Sequence, residues 1–449
     1  MLRALSFIGM GNYQETMYTY GESRVTTAFF PLFILEIFNP DIMNVFITKE
    51  VREQKWQQFT DALPVQYKEK VKPVEIPKGA STEELWQIFQ TIVTTVSNEE
   101  NIIMDTTHAF RSIPMLALVA AQYLRATKGV IVKGIYYGAF EARTNNHSPV
   151  FNLSPFIELM EWTDALYIFN QTGNASGIAQ ILREKQNLHH IQKNTEKLPK
   201  RLKTFGNWLD AISINLLQLK TRSALKAITH LPQVLQDAEN DVQSYVPPLA
   251  VVLEQSLEQI IQLGHSEPNK LDVNLLNKER ALIRWYGDHG HYLHALGLLR
   301  EHIINIACLK LQIDNPFHYD TEKTEKCKKS KEKCKEAFQC DPDRKCVESF
   351  VRKISSQYKG KIQENSACTE KIALWQSQCL GSGEKAWWKK LSGLFAAIAQ
   401  LRNRVMHAEI AHDQQSSGDL KQKIEPWIND IEKLMEDAGI QTPQTGAFS

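Results

Sequence analysis

An open, largely parallel α/β sheet followed by an all-helical region is the architecture predicted by this 449-residue sequence, on three observations. Up to about Phe151, apolar runs of strand length alternate with amphipathic helical stretches. That order yields one sheet whose strands are joined by covering helices. Beyond Pro155 strand signals nearly vanish and helical periodicity takes over. The third observation is a pair of polar loops, each placed directly after an apolar run.

The first run, Leu2 to Ile8, ends in Gly9-Met-Gly-Asn-Tyr13. Glycines there permit positive φ and a close backbone approach to a ligand. A dinucleotide fingerprint needs a third glycine where Gln14 stands, and no helix follows directly, which argues against a nicotinamide site. Tyr18-Thr-Tyr-Gly-Glu-Ser reads as a hairpin, Ala28 to Phe38 as a helix, and Met43 to Thr48 and Val71 to Ile76 as strands. Ser81-Thr-Glu-Glu reads as a capping box opening the helix Thr82 to Val96. The apolar run Asn101 to Met104 enters Asp105-Thr-Thr-His-Ala-Phe-Arg-Ser-Ile-Pro114, ahead of a helix from Met115 to Arg125. A strand that passes hydroxyls, His108 and Arg111 into a helix start is a phosphate-facing turn, although an ordinary loop capped by Ser112 has the same outline. Val130 to Tyr137 is the last clear strand.

The helical half reads as Ile157 to Phe169, Ser176 to Arg183, Leu202 to Lys220, Pro248 to Leu263, Lys278 to Ile313 with a break near Gly287 to Gly290, Lys385 to Ile410, and Gly418 to Ala438. Residues 439–449 read as a disordered tail. His289, His291 and His294 have metal-like spacing, which Asp288 keeps open, yet an ordinary helix flank explains them better, because three histidines at one helix start rarely close a metal site without a carboxylate partner. A lysine- and cysteine-rich insertion around 321–379 holds Cys327, Cys334, Cys340, Cys346, Cys368 and Cys379 without a Cys-x-x-Cys pair. This argues against a zinc knuckle and for free thiols.

With 43% apolar and 23% charged residues the chain suits two or three folded domains. A net charge of +1 excludes a globally basic nucleic-acid binder and leaves room for a local basic cleft. No run approaches eighteen apolar residues, and Gly9 to Gln14 interrupts any secretory h-region, so a cytoplasmic protein without a membrane span is expected.

The remaining signal is Arg402-Asn-Arg-Val-Met-His407. Histidine moves protons near neutral pH, and arginine braces a phosphate as charge develops on it. Asn403 and His407 share a helical face, whereas Arg402 must reach across to join them; Arg404 is a substitute for the clamp. Read alone, the pattern also describes a solvated helix face.

Taken together, Gly9 to Asn12, Asp105 to Pro114, Tyr136-Tyr-Gly-Ala-Phe-Glu141 and Arg402-Asn-x-x-x-His407 resemble the CARF–HEPN ancillary ribonucleases of type III CRISPR defence. The resemblance implies a Rossmann-like CARF sensor domain over residues 1–154, a helical linker region over 155–280, and a HEPN-like ribonuclease domain over 281–438. It implies a cyclic oligoadenylate activator, cyclic tetra-adenylate by preference, bound by Gly9, Met10, Gly11, Asn12, Thr106, Thr107, His108, Arg111, Ser112, Tyr137 and Gly138. Single-stranded RNA would be cut without a metal or other required cofactor by Arg402, Asn403 and His407, paired across a homodimer or a higher oligomer of dimers. Two alternatives stay open: a sensor whose helical part only binds RNA or a protein, and a DNA-binding regulator.

Overall fold

The computed structural model describes residues 1–108, 113–191, 198–313, 316–317, 342–355, 366–381, 383–406 and 417–440. The chain divides into two compact units, Met1–Thr163 and Asp164–Ser449.

The first unit holds one eight-stranded sheet: β1 (Leu2–Phe7), β2 (Thr16–Tyr20), β3 (Ser23–Thr27), β4 (Ile42–Ile47), β5 (Val71–Glu75), β6 (Asn101–Asp105), β7 (Ile131–Gly138) and β8 (His147–Asn152), in the order β3-β2-β8-β7-β6-β1-β4-β5. The pairs β1–β4, β1–β6, β4–β5, β6–β7 and β2–β8 are parallel; β2–β3 and β7–β8 are antiparallel. The sheet is therefore largely parallel, as its alternation with helices predicts. β8 is the strand the sequence hides. Its residues His-Ser-Pro-Val-Phe-Asn bury only Ser148 and Val150, and Pro149 reads as a breaker.

Side-chain alternation along β1 splits the core into two layers. Ala4 and Ile8 join Phe29, Phe30, Phe33 and Phe59 on one face, while Leu5 and Phe7 join Ile88, Ile92, Ala117, Ala121 and Leu124 on the other. Both faces are covered, which is why β1, β4 and β6 read as almost unbroken apolar runs. At the other end of β1, buried Arg3 grips Glu100 through Nε at 2.7 Å and Nη2 at 3.0 Å, and Asn44 through Nη1 at 2.6 Å. The guanidinium holds the Glu100 carboxyl below the usual carboxylate range. The Ser81 hydroxyl accepts from the Glu84 N–H at 3.2 Å, and Glu84 returns a bond to the Ala80 N–H at 2.8 Å, the reciprocal cap that the sequence shows.

In the second unit, helices Ser176–Ile191 and Leu202–Leu217 pack as a pair, as do Val273–Asp288 and Tyr292–Lys310. The break expected near Gly287 to Gly290 is real, with Gly290 at φ +72. Two further helices, Thr221–Thr229 and Leu231–Tyr245, lie where charge and polarity mask their short apolar stripes. The expectation of free thiols is wrong at one place. Helices Pro342–Ile354 and Ser366–Gly381 pack so that the Cα atoms of Cys346 and Cys368 are 5.1 Å apart, and the two cysteines are bonded as a disulfide. Cys308 and Cys379 are buried and take no part in that disulfide, and Cys327, Cys334 and Cys340 lie outside the described residues. Gly439 and Ile440 are not tail: Gly439 at φ +73 closes the last helix, and Ile440 is buried with its N–H on the Met435 carbonyl at 2.9 Å. The rest of that stretch lies outside the described residues.

Gly173 fixes the end of the helix Ser154–Thr172, with φ +68 and its N–H on the Phe169 carbonyl at 2.7 Å. A Cβ there would stand 2.2 Å from Cη2 of the buried Trp285. Strain and clash act together, so Gly173→Ala is expected to destabilise the helical unit by about 2–3 kcal/mol, read as a lower urea midpoint.

Candidate functional site

β1 is flanked by β4 on one side and by β6 on the other, so the chain turns opposite ways from it to build the two halves of the sheet. Loops that follow strands at such a reversal diverge and leave a crevice at the strands' carboxyl ends. Here the loops are Ile8 to Glu15 after β1 and the segment that follows β6. Gly9 brings them together: a Cβ on it would stand 3.1 Å from the His108 carbonyl oxygen. The Tyr13 hydroxyl locks the first loop by donating to the Gly9 carbonyl and accepting from the Gly9 N–H, each at 2.7 Å. Burial pushes the Tyr13 phenol up to about 12.

The second loop is fixed from beneath. Asp105 is fully buried and accepts the Ser6 hydroxyl and, at 2.8 Å, the Thr107 N–H. Burial outweighs these bonds and raises its carboxyl to about 6. His108 packs against Tyr13 with ring centroids 4.2 Å apart, and its Nε2 accepts the Phe30 N–H at 3.1 Å. An accepted N–H at Nε2 puts the ring proton on Nδ1. Burial lowers the His108 pKa to about 4, so this imidazole is a neutral structural acceptor. Thr107 Oγ1 accepts the Gly138 N–H at 2.8 Å and ties β7 to the same place. Gly138 has no room for a side chain, since a Cβ would meet Phe30 at 2.5 Å and Tyr18 at 2.6 Å.

The result is a cavity of about 170 Å3. Of the residues expected to bind an activator, Gly11, Asn12, Thr107, His108 and Gly138 line it. Gly9 acts one layer back through Tyr13 and the His108 carbonyl. Met10 is 39% exposed and does not line the cavity. Thr106 is buried and continues the strand pairing, with its N–H on the Tyr136 carbonyl at 3.1 Å. Tyr137 reaches the rim by donating to Glu141 at 2.9 Å. Arg111 and Ser112 lie outside the described residues. Sequence reasoning missed Tyr13, Gln14, Tyr18, Ala28, Phe140 and Glu141, which complete the lining. Arg143 backs this edge, with its guanidinium 4.2 Å from the Phe140 ring centroid and a bond to Gln14 Oε1 at 3.2 Å.

In the second unit, Arg402 and Asn403 sit on the last turn of helix Lys385–Met406. Trp388, Leu391, Phe395, Ile398 and Leu401 form its buried stripe, which leaves Asn403 exposed and Arg402 half-buried. Arg402 Nη1 lies 3.4 Å from Asn403 Oδ1. His407 lies outside the described residues. The three clustered histidines are each committed to a carbonyl oxygen: His289 Nδ1 to Trp285 at 2.7 Å, His291 Nε2 to Thr172 at 2.7 Å and His294 Nε2 to Leu217 at 2.9 Å. Those carbonyls belong to the last turns of three helices; the one at Trp285 also accepts the His289 N–H at 3.1 Å. A buried network, also invisible in the sequence, joins Glu279 to His302 at 2.8 Å and to Asn305 at 2.8 Å, and Asn305 to Arg344 at 2.5 Å.

Residues 4–141 match the family model described as CRISPR system endoribonuclease Csx1, CARF domain. The first unit is a CARF domain. The match spans both loops and ends at Glu141, so every residue named for the cavity lies within it. Residues 158–263 match the second domain of the CRISPR-associated protein MJ1674. That protein of Methanocaldococcus jannaschii is 29% identical over 178 residues, which are 39% of this chain and 26% of the relative, so the match spans about a quarter of the relative's length. Enterococcus italicus Csm6 bound to cyclic hexa-2'-fluoro-hexa-dAMP is similar over 99% of this chain and 95% of that one, with a TM-score of 0.45 and 11% identity. No helix among the described residues is long and apolar enough to cross a membrane.

The two buried groups beneath the CARF cavity give it a pH signature of opposite signs. His108 has a folded pKa near 4 against 6.5 unfolded, so its share of stability is complete above pH 6.5 and is lost as pH falls toward 4. Asp105, raised from 3.8 to about 6, contributes stability below pH 3.8 that is lost as pH rises through 6. Asp105→Asn is therefore expected to steepen the net loss of stability on acidification across this window, and His108→Gln to reverse it. Thermal midpoints measured in steps from pH 4 to pH 7 read both slopes.

Proposed function

We propose that this chain is a cytoplasmic, cyclic oligoadenylate-activated endoribonuclease of CRISPR defence, with cyclic tetra-adenylate as activator. The observation that carries the sensor half is the CARF cavity at the carboxyl ends of β1 and β6 and the chemistry of its rim. The Glu141 carboxylate repels phosphate and accepts hydrogen bonds only. Gln14 spends its carbonyl oxygen on Arg143 and keeps two amide N–H donors. An acceptor beside a donor suits the adenine edge, which offers an amino group next to a ring nitrogen, whereas a 6-oxo purine reverses both. Phe140, braced by Arg143, offers a stacking wall for the base.

At about 170 Å3 the cavity is smaller than the roughly 300–1,000 Å3 of ordinary ligand pockets and far too small for a ring of nucleotides. A second copy of the chain would complete it. Met115, Val119 and Tyr123 run at i, i+4 and i+8 along helix Ile113–Lys128 and are 75%, 54% and 45% exposed; Trp86 on helix Thr82–Thr95 is 61% exposed and packs on Phe89 with centroids 5.8 Å apart. Tyr123 and Phe89 join the two helices by ring contact at 5.3 Å. This apolar strip suits burial in a homodimer.

For the catalytic half, Arg402, Asn403 and His407 supply what metal-independent cleavage of single-stranded RNA needs. The 2′-hydroxyl attacks the adjacent phosphorus as one His407 removes its proton. The bond to the 5′-oxygen breaks, and the partner copy's protonated imidazole delivers a proton to that oxygen, leaving a 2′,3′-cyclic phosphate. Arg402 holds the phosphoryl oxygens, and Asn403 positions the strand.

Cleavage of a single-stranded RNA is expected only with cyclic oligoadenylate present, undiminished by EDTA, and lowered at least about 100-fold by Arg402→Ala or His407→Ala. Wild-type rates in both variants would remove the catalytic assignment; RNA binding without cleavage would leave a sensor that only captures its target. Separately, Glu141→Ala is expected to lose about tenfold or more of the preference for cyclic tetra-adenylate over cyclic tetra-inosinate, measured as the ratio of two dissociation constants.

A further inference from the structure

We infer that the helical unit carries a second, separate pocket that binds a single nucleobase, built around His289. A cavity of about 450 Å3 opens among helices Ser154–Thr172, Pro247–Ile261 and Val273–Asp288. Its back wall is a prebuilt aromatic plate. Trp285 is buried, and His289 lies on it with centroids 4.2 Å apart and planes at 28°. The plate cannot turn: His289 Nδ1 is bound to the Trp285 carbonyl at 2.7 Å, and the indole edge is jammed against the backbone of Gly173.

The opposite wall is polar in an unusual way. Gln255, Ser256 and Gln259 stand at i, i+1 and i+4 on one helix and line the cavity with Asn170. Among the described residues, no lysine, arginine, aspartate or glutamate lines it. A site without cations does not hold phosphate, and one without carboxylates does not hold a metal ion. Three primary amides and a hydroxyl, each giving both donors and acceptors, face a flat aromatic plate. That set fits a flat, uncharged molecule with donors and acceptors on its edge, stacked on one face. A nucleobase has this chemistry, and its sugar and any phosphate would stay in the open mouth of the pocket. The three-histidine cluster thus acquires a role beyond its carbonyl bonds: His289 faces the ligand while His291 and His294 fasten the helix ends behind it.

The ligand is either a free nucleoside or one base of an RNA strand, and titration calorimetry on the full chain separates them. Adenosine, guanosine, cytidine and uridine are titrated individually, then the four ribotetranucleotides of the same bases. One saturable site per chain is expected for at least one base. Equal affinity for nucleoside and tetranucleotide assigns a free nucleoside; tighter tetranucleotide binding assigns an RNA strand. Ser256→Trp, which fills the cavity, is expected to abolish binding. Gln255→Leu combined with Gln259→Leu alters two exposed side chains and is expected to weaken it about tenfold or more with an unchanged circular dichroism spectrum. The double variant decides if Ser256→Trp fails to fold. Absence of saturable binding to the wild-type chain, or undiminished binding in the double variant, overturns the proposal. Unchanged binding when Glu141→Ala is introduced separates this pocket from the CARF cavity.

Discussion

The Tyr13 hydroxyl and Gly9 form the joint on which the CARF cavity depends. One phenol satisfies both backbone groups of a single glycine, and that glycine leaves only enough space for the neighbouring loop to lay its carbonyl against it. Everything else in the cavity is arranged around this contact. His108 is positioned by Tyr13 on one side and Phe30 on the other, Thr107 reaches Gly138, and Asp105 holds Thr107 from below. Most of these bonds are part-buried, and together they hold the two loops against each other. The rim is different: Tyr137 donates to Glu141 and Arg143 to Gln14 through side-chain bonds near solvent.

The helical unit solves a different problem, the unmatched carbonyls at helix ends. Thr172 and Leu217 each present such a group, bound by His291 and His294, while the His289 ring adds a second donor to the Trp285 carbonyl that the His289 N–H already bonds at 3.1 Å. The Tyr286 hydroxyl adds a bond to the Leu216 carbonyl at 2.7 Å. Helix ends with negative partial charge thus converge on ring N–H groups. The same stretch that resembles a metal motif in sequence is therefore a fastening between helices.

What the sequence reveals and what it hides follows from the range of each signal. β1, β4 and β6 are legible because burial on both faces leaves long apolar runs. The break at Gly290 is legible because glycine marks it locally. β8 is hidden because it is edge-like in composition, although it lies between β7 and β2, and its place depends on pairing with residues far away. In the cavity, Gly11, Asn12, Thr107, His108 and Gly138 belong to loops that announce themselves, whereas Glu141 and Gln14 acquire meaning only when Arg143 and Tyr137 come near. Thr106 was misjudged because hydroxyl content does not tell which way a residue at a strand end points. The Cys346–Cys368 bond was missed since spacing alone cannot show that two helices bring the sulfurs together.

The Arg222 guanidinium lies 3.7 Å from the Phe317 ring centroid, the Arg344 guanidinium lies 5.8 Å from it, and Arg344 is itself anchored to Asn305 and to Glu301 at 2.6 Å. Phe317 and Arg344 are thus held side by side on the helical unit. Closing a chain between fixed ends grows costlier only with the logarithm of its length, by about 0.6 kcal/mol for each doubling. The length of chain between Phe317 and Arg344 therefore weighs little on the stability of the helices at its two ends.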